Sequence, residues 1–290
     1  MRETRGEKIF NGFNIALMIF LCAVMIYPML FVLGRSFMLE IERAANPLRI
    51  FPRVWDLEAY KFIFREAVTI KSSYFITILR TVAGTACNIF FTSILAYVLS
   101  KRNYPLRNII TTLVIFTMWF GGGLIPTFLL YKSLGLVNNF WVYILPGLIS
   151  PWNLLLLRNF FMQIPDSLEE AAKIDGASEL TIFFRIVIPL SMAALATISL
   201  FYAVSHWNSW FDSLIFINDK KMWTLQLLLR EIIRNANMSD LMDTDSITSL
   251  PPTESVKMAT VVVATLPILM VYPFLQKYFV KGVMVGSLKG

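Results

Sequence analysis

Residues 10–33 read FNGFNIALMIFLCAVMIYPMLFVL, a stretch without a single charged side chain. A helix needs roughly 20 apolar residues to cross about 30 Å of hydrocarbon, so this stretch is long enough to span a bilayer. It is too long for the apolar region of a cleavable signal peptide and has no clear small-x-small exit, which favours a retained helix. The stretch therefore predicts a transmembrane helix at the start of the chain.

Further along the chain, five more apolar runs have the length of a membrane span. They lie near residues 75–99, 108–130, 139–157, 187–217 and 258–276. With 57% hydrophobic and 16% charged residues in 290, the chain is more apolar and less charged than a soluble domain of its size. We predict an all-α polytopic membrane protein with six transmembrane helices in one domain, residues 1–290. The run 187–217 is long enough to tilt, break or leave the bilayer.

The distribution of Lys and Arg predicts the orientation. Six spans put both termini on one side, and the segments on that side carry three basic residues each: 1–9, 100–107, 158–188 and 277–290. The short loop 131–138 on the other side has only Lys132. Because cytoplasmic loops are enriched in Lys and Arg, both termini are expected in the cytoplasm.

Two longer polar segments, near 34–74 and 218–257, fall on the outer side. They contain four prolines and charges of both signs, and the second holds an acidic stretch: Pro47, Pro52, Pro251, Pro252, Asp240, Asp243 and Asp245. Such segments either pack as small caps over a pore or serve as solvated connectors, and the sequence leaves both readings open.

Several classes of site are not indicated. Cys22 and Cys87 lie inside apolar runs, where cysteine behaves as a small hydrophobic residue, so neither a disulfide framework nor a metal site is expected. The net charge of +7 is not gathered into a patch for nucleic acid. There is no G-x-x-x-x-G-K-[ST] loop for ATP, and residues 121–123, three consecutive glycines, should instead break the third span together with Pro126.

The most informative polar stretch is residues 164–178, IPDSLEEAAKIDGAS. Asp166 or Ser167 can cap a short helix, with Glu169 or Glu170 completing a capping box. Gly176 supplies a left-handed stop, and Ser178 can cap a second helix that runs toward Pro189. We therefore predict a helix, a turn and a helix.

The first of these helices has a small apolar face. Leu168, Ala171 and Ala172 share one side at i, i+3 and i+4. Helices that lie in lipid headgroups favour Lys or Arg with bulky apolar residues, whereas this one combines paired Glu with Ala. Docking to a soluble protein partner is the favoured interpretation, and a helix in the headgroup region is the alternative.

Residues 170–189 carry a resemblance to a known family. Glu170-Ala171-Ala172, three residues, Gly176, nine residues and Ile186-Val187-Ile188-Pro189 resemble the EAA motif, EAA-x3-G-x9-I-x-L-P, of permease subunits of binding-protein-dependent ABC importers. Ile188 replaces the Leu of the pattern. Asp175-Gly176-Ala177, Trp207-Asn208 and the tail 281–290 are similar to the carbohydrate branch, close to the second, maltose-type permease subunit. Residues 251–259 resemble permeases for complex polysaccharides, including alginate.

This resemblance implies a division of labour among several chains. The fold would be that of a type I importer permease, and the partners would be a second permease subunit, two ATP-binding cassette subunits, an extracytoplasmic solute-binding protein and membrane lipid. ATP and Mg would bind to the partner ATPases, so this chain would hold no cofactor and would not be an enzyme. The residues implied in ATPase coupling are Leu168, Glu169, Glu170, Ala171, Ala172, Asp175 and Gly176.

Polar stripes within the apolar runs indicate where substrate could pass. One stripe lies on the second span at Thr81, Thr85, Asn88 and Thr92, and another on the fifth at Ser205, Asn208, Ser209 and Asp212. Polar groups in lipid are costly unless they face protein or water. The candidates for the saccharide pathway are Asn88, Asn153, His206, Trp207, Asn208 and Asp212. His206 could equally be a structural hydrogen-bonding group, and Trp207 a membrane-interface anchor.

The sequence supports two rival functions less well. An ion-driven secondary transporter would need coupling carboxylates near the middle of the membrane, whereas Asp212 lies toward the outer end of its span. An intramembrane enzyme would need a catalytic set, and Ser205 and Ser209 near His206 are the only hint of one. We expect an ATP-driven importer of an oligo- or polysaccharide.

Overall fold

The computed structural model describes residues 4–65, 67–241 and 254–270, and these residues form helices and no strand apart from one isolated bridge between Met38 and Trp55. This confirms the all-α fold class. The α-helices in chain order are α1 Arg5–Ser36, α2 Glu40–Ala45, α3 Glu58–Arg65, α4 Ala67–Ser100, α5 Arg107–Trp119, α6 Leu124–Ser133, α7 Pro151–Phe161, α8 Asp166–Ile174, α9 Glu179–Ile182, α10 Ile188–Leu190, α11 Met192–Asn208, α12 Phe211–Phe216, α13 Leu225–Leu241 and α14, residues 254–270.

Two helices, Gly6–Ser36 within α1 and Ile70–Ser100 within α4, are long and apolar enough to cross a membrane. Counting each of three bent helix pairs as one span brings the number to five among the residues that the structure describes. The sixth apolar run begins in α14 and continues into residues 271–276, which lie outside the described part of the chain. So do residues 242–253 and the tail from 271 onward, and with them Asp243, Asp245, Pro251, Pro252 and the predicted family-like tail.

The first of two compact units comprises, among the described residues, 4–65, 67, 229–241 and 254–267. Helix α1 begins with a capping box, in which Thr4 Oγ1 accepts from the Glu7 amide at 3.3 Å and Glu7 Oε2 accepts from the Thr4 amide at 2.6 Å. Its side chains are exposed on every face from Gly6 to Leu30, as expected of a helix whose solvent is lipid. The chain after α1 is packed: the Phe37 ring lies 4.8 Å from that of Tyr60 and 5.2 Å from that of Trp55.

The second unit comprises, among the described residues, 68–228 and 268–270. Its core forms where α4 meets α7 and the segment from α9 to α11. Fully buried aliphatic side chains fill this space: Leu99, Leu154, Leu157, Ile182, Val187 and Ile198. The core therefore gathers around the end of α4 that precedes Lys101.

Three of the predicted spans are broken. The third bends by 118° between α5 and α6, at the three glycines 121–123, which confirms the predicted break. The fourth bends by 50° between the 3₁₀ segment Phe140–Gly147 and α7. The fifth begins with a π-helical turn, Phe183–Val187, and bends by 82° at Ser191, after Pro189. Pro126 lies inside the first turn of α6, where a missing amide hydrogen costs nothing.

Candidate functional site

A cavity of about 760 Å³ lies within the second unit, in the middle of its broken spans. The glycines 121–123 and α6 form one wall, the breaks around Pro146 and Ser150 form another, and α4, α11 and α12 complete it. Its polar side chains, in chain order, are those of Arg80, Thr127, Tyr131, Tyr143, Ser150, Asn153, Tyr202, Ser205, His206 and Asp212. Apolar side chains and glycines complete the lining, and polar groups exposed inside an apolar bundle are what a hydrophilic cargo would require.

An ion pair between Arg80 of α4 and Asp212 of α12 lines this cavity. Both terminal nitrogens of Arg80 bond to the carboxylate, Nη1 to Oδ1 at 3.2 Å and Nη2 to Oδ2. The Arg80 side chain is only 4% exposed, while that of Asp212 is 24% exposed. The guanidinium also lies 4.6 Å from the ring centre of Tyr143. The guanidinium of Arg80 is therefore buried and fixed in position, whereas the carboxylate of Asp212 is more accessible from the cavity.

The imidazole of His206 continues this network across the bundle. Arg80 Nε donates to His206 Nδ1 at 3.3 Å, and His206 Nε2 lies 2.7 Å from Asn88 Oδ1. Asn88 Nδ2 donates in turn to the carbonyls of Gly147 and Leu148, at 2.6 and 2.8 Å. For each bond to have one donor and one acceptor, His206 must be neutral and carry its proton on Nε2. The chain of bonds ties α4 and α11 to the break in the fourth span.

Gly84 makes this close approach of α11 to α4 possible. A Cβ atom at position 84 would lie 2.5 Å from His206 Nε2 and 2.7 Å from Cε1. The imidazole is buried and held by two neighbours, so it has little freedom to move aside. The sequence therefore needs glycine here for space, without any unusual backbone angle.

Two buried tyrosines fix the cavity walls. Tyr143 O–H lies 2.8 Å from Ser213 Oγ and donates to the Met222 carbonyl at 2.7 Å. Tyr202 O–H lies 2.8 Å from Thr92 Oγ1 and accepts from the Ser150 amide at 2.9 Å. The Ser150 bond satisfies a main-chain amide at the point where the fourth span breaks, which steadies that irregular backbone.

The predicted pathway residues divide into two groups. Asn153, His206 and Asp212 line the cavity, and Asn88 supports it through His206. Trp207 is buried and Asn208 is exposed, and neither is among the residues that line the cavity. Arg80 is not among the predicted pathway residues, although a charged side chain within an apolar run is itself a signal of a functional site.

The loop 158–188 contains α8 and α9, and of its predicted caps and stop only the first cap differs from the prediction. Helix α8 starts at Asp166 with Pro165 at the N-cap, so the predicted capping by Asp166 or Ser167 is wrong. Gly176, with φ of +77°, confirms the predicted left-handed stop. Ser178 Oγ accepts from the Thr181 amide at 3.2 Å and confirms the predicted second cap.

Glu169 is engaged within the chain instead of closing a capping box. Its carboxylate pairs with Lys101, just beyond the end of α4, and Lys101 Nζ lies 4.0 Å from the ring centre of Tyr97. Tyr97 O–H donates to Glu179 Oε2 at 2.9 Å, and Glu179 also pairs with Lys173 at 2.6 Å. This hydrogen bond raises the pKa of Lys173 above its ordinary value. The loop is therefore fastened to the end of α4.

The exposed face of the loop 158–188 carries apolar side chains beside the carboxylate of Glu170. Leu168, Ile174 and Leu180 are 43%, 86% and 70% exposed. Glu170 and Ala171 are exposed too, whereas Ala172 is half-buried and packs against the core of the second unit. The predicted apolar face of Leu168, Ala171 and Ala172 is thus corrected: Ala172 turns inward, and Ile174 takes its place on the exposed side.

Comparison with known proteins shows which family this chain matches. Residues 88–285 match the family model described as binding-protein-dependent transport system inner membrane component. The chain is 46% identical to Protein LplC of Bacillus subtilis (strain 168), over 100% of this chain and 98% of the relative. It is 44% identical to the polygalacturonan/rhamnogalacturonan transport system permease protein YtcP of the same organism, over 98% of this chain and 99% of that protein.

A solved structure is similar along nearly the whole chain. It is a crystal structure of a bacterial ABC transporter involved in the import of the acidic polysaccharide alginate. The TM-score is 0.84 with 30% sequence identity, covering 96% of this chain and 99% of the other.

Proposed function

The chain belongs to the family of binding-protein-dependent transport system inner membrane components and is a permease subunit of an importer, and we propose that its cargo is an oligo- or polysaccharide that passes through the 760 Å³ cavity. The observation that carries the proposal is the set of polar side chains that line this cavity, among apolar groups, in an otherwise apolar unit. Saccharides are held by hydrogen bonds together with contacts to aromatic faces, and the cavity offers both. The names of the relatives YtcP and the alginate transporter point to the same class of cargo.

The energy is supplied by partner chains in this proposal. A second permease subunit completes the path, two ATP-binding cassette subunits bind ATP and Mg, and an extracytoplasmic protein delivers the saccharide. The whole chain acts as one permease domain in the cytoplasmic membrane, with both termini and the loop 158–188 in the cytoplasm. The excess of Lys and Arg in those segments supports this orientation.

The exposed face of α8 is the proposed docking surface for an ATPase subunit. Leu168, Ala171 and Ile174 form its apolar part, and Glu170 adds a charge at its rim. Protein interfaces commonly combine an apolar centre with a polar rim. Glu169, Ala172, Asp175 and Gly176 act differently in this proposal: they hold the shape of the loop from within, through the Lys101 pair, core packing and the turn.

Helix α4 links the docking surface to the cavity. The pairs from Lys101 and Tyr97 fasten its last turn to the loop, and the same helix carries Asn88 and Arg80. At 1.5 Å per residue, the 13 residues from Asn88 to Lys101 span about 20 Å. A rigid helix of this length passes a displacement of the loop on to the cavity, provided that the inward and outward states are close in energy.

The test is ATP hydrolysis by the purified complex, with and without loaded binding protein. Glu170→Lys and Ala171→Trp change exposed positions of α8, so they should leave the fold intact but abolish stimulation or assembly. Glu58→Lys is the matched control, because Glu58 is an exposed acid at the start of α3 in the other unit. Normal stimulation of both α8 variants would contradict the docking surface. Uptake driven by an ion gradient without ATP would contradict the importer cycle itself.

A further inference from the structure

Arg80 is a charged residue within a membrane span, and several contacts fix the position of its side chain. A charged side chain inside a membrane span costs several kcal/mol unless it is paired or faces water. Arg80 is held by the Tyr143 ring, by His206 Nδ1 and by the long helix α4 that carries it. Its two terminal nitrogens point at a carboxylate in the geometry that a guanidinium uses for bidentate recognition.

Asp212 is the more exposed half of the pair, and it has hydrogen-bond donors besides Arg80. It lies on α12, a helix of six residues that is separated from α11 by a break at Ser209 and Trp210. Its Oδ1 also accepts from Ser209 Oγ at 2.8 Å and from the Ser213 amide at 2.9 Å. These two donors would remain if the carboxylate withdrew from Arg80. Asp212 therefore has partners in both situations, whereas Arg80 needs an anion.

We propose that Arg80 is a receptor for a carboxylate of the cargo, which takes the place of Asp212, so that this importer carries acidic saccharides containing uronate units. The inference rests on the saccharide function proposed above and specifies its chemical class.

The charge balance of the cavity favours a cargo carboxylate that replaces Asp212 on Arg80 over a cargo that binds while Asp212 stays in place. Among the described residues that line the cavity, the formal charges are those of Arg80 and Asp212, which cancel. A neutral sugar hydroxyl cannot replace a carboxylate on a buried guanidinium, because the charge would lose its counterion. A uronate can, since it brings the same planar anion. The pair thus rejects neutral cargo at this point and admits acidic cargo.

The experiment measures equilibrium binding to the purified complex without binding protein, using trigalacturonate and its methyl ester. The two probes have the same length, and the ester lacks the charges. Wild type should bind the acid about tenfold more tightly than the ester, a modest difference for a charge pair. Asp212→Asn removes the internal competitor, so it should tighten acid binding and raise the acid-to-ester ratio by roughly another tenfold.

The double variant Arg80→Gln/Asp212→Asn keeps the cavity neutral and should bind both probes equally. Arg80→Lys retains the charge without the fork and should lose part of the preference. Copurification with the partner subunits verifies that each variant is assembled. An acid-to-ester ratio in the double variant equal to that of wild type would overturn the inference.

Failure of the inference can be told apart from failure of the proposed function by ATP-dependent uptake. Proteoliposomes with the complete importer would be given the two probes and a neutral oligosaccharide. Uptake of the neutral sugar with an unchanged acid-to-ester ratio in all variants overturns the carboxylate receptor and leaves the saccharide function standing. No ATP-dependent uptake of any of the three by wild type overturns both.

Discussion

Substitution of Gly84 by alanine should disrupt the network around His206. The added methyl group would lie 2.5 Å from Nε2 and 2.7 Å from Cε1 of an imidazole that is 7% exposed. Such distances are well below van der Waals contact, so the ring must shift. Any shift lengthens its bonds to Asn88 and Arg80, which are 2.7 and 3.3 Å in the present arrangement.

The expected cost follows from three contributions. Overpacking of a well-filled interior costs about 1–3 kcal/mol. Each buried polar group that loses its partner adds about 1–3 kcal/mol. Alanine is the better helix former and returns about 1 kcal/mol. The net destabilisation of Gly84→Ala should therefore be about 2–8 kcal/mol if both hydrogen bonds are lost, and about 1–5 kcal/mol if only one of them is lost.

The assay is equilibrium unfolding of the purified protein in mixed detergent, monitored by tryptophan fluorescence. Gly12→Ala is the control, because a Cβ atom at position 12 meets nothing within 4 Å and α1 is helical there. In a His206→Ala background the clash is gone, so Gly84→Ala should become neutral or slightly stabilising. An equal cost in both backgrounds, or no cost in wild type, would refute the steric argument.

Three further changes test other parts of the structure. Lys101→Glu should weaken the stimulation of ATP hydrolysis in the assembled importer, and the exchange with Glu169→Lys should restore much of it; no restoration would argue against the direct pair. Gly176→Ala places a side chain at φ of +77° and should lower stability by about 1–2 kcal/mol in detergent unfolding, whereas Gly12→Ala should not. Ser178→Ala removes an N-cap and should cost about 1 kcal/mol in the same assay, with Ser178→Thr close to wild type.

Local signals in the loop 158–188 predicted its turns well. Gly176 and Ser178 lie at the stop and the cap because backbone angles and capping depend on near neighbours. The predicted cap at Asp166 or Ser167 does not form, and one of the two reasons involves a distant residue. Pro165 takes the N-cap position, and Glu169 is drawn to Lys101, 68 positions earlier in the chain. Nothing in the local sequence records that competition.

The cavity shows a similar limit. The breaks at the glycines 121–123 could be predicted, as could the polar character of Asn88, Asn153, His206 and Asp212. The pairing of Arg80 with Asp212 could not, because 132 positions separate them and only the packing of α4 against α11 and α12 brings them together. Asn208 follows the same polar stripe as Asp212, yet the break after α11 rotates the two positions apart.

The glycine break in the third span has a consequence for evolution. Residues 121–123 lie between α5 and α6 and border the cavity, so peptide groups there are not engaged in a regular helix. Peptide N–H and C=O groups form hydrogen bonds of the same kind whatever side chain the residue carries. The hydrogen-bonding groups of this part of the wall therefore stay the same when side chains elsewhere in the cavity are mutated. In the function proposed above, substitution of a side chain such as Arg80 alters which cargo the cavity accepts, whereas the peptide groups of residues 121 and 122 keep the same donors and acceptors.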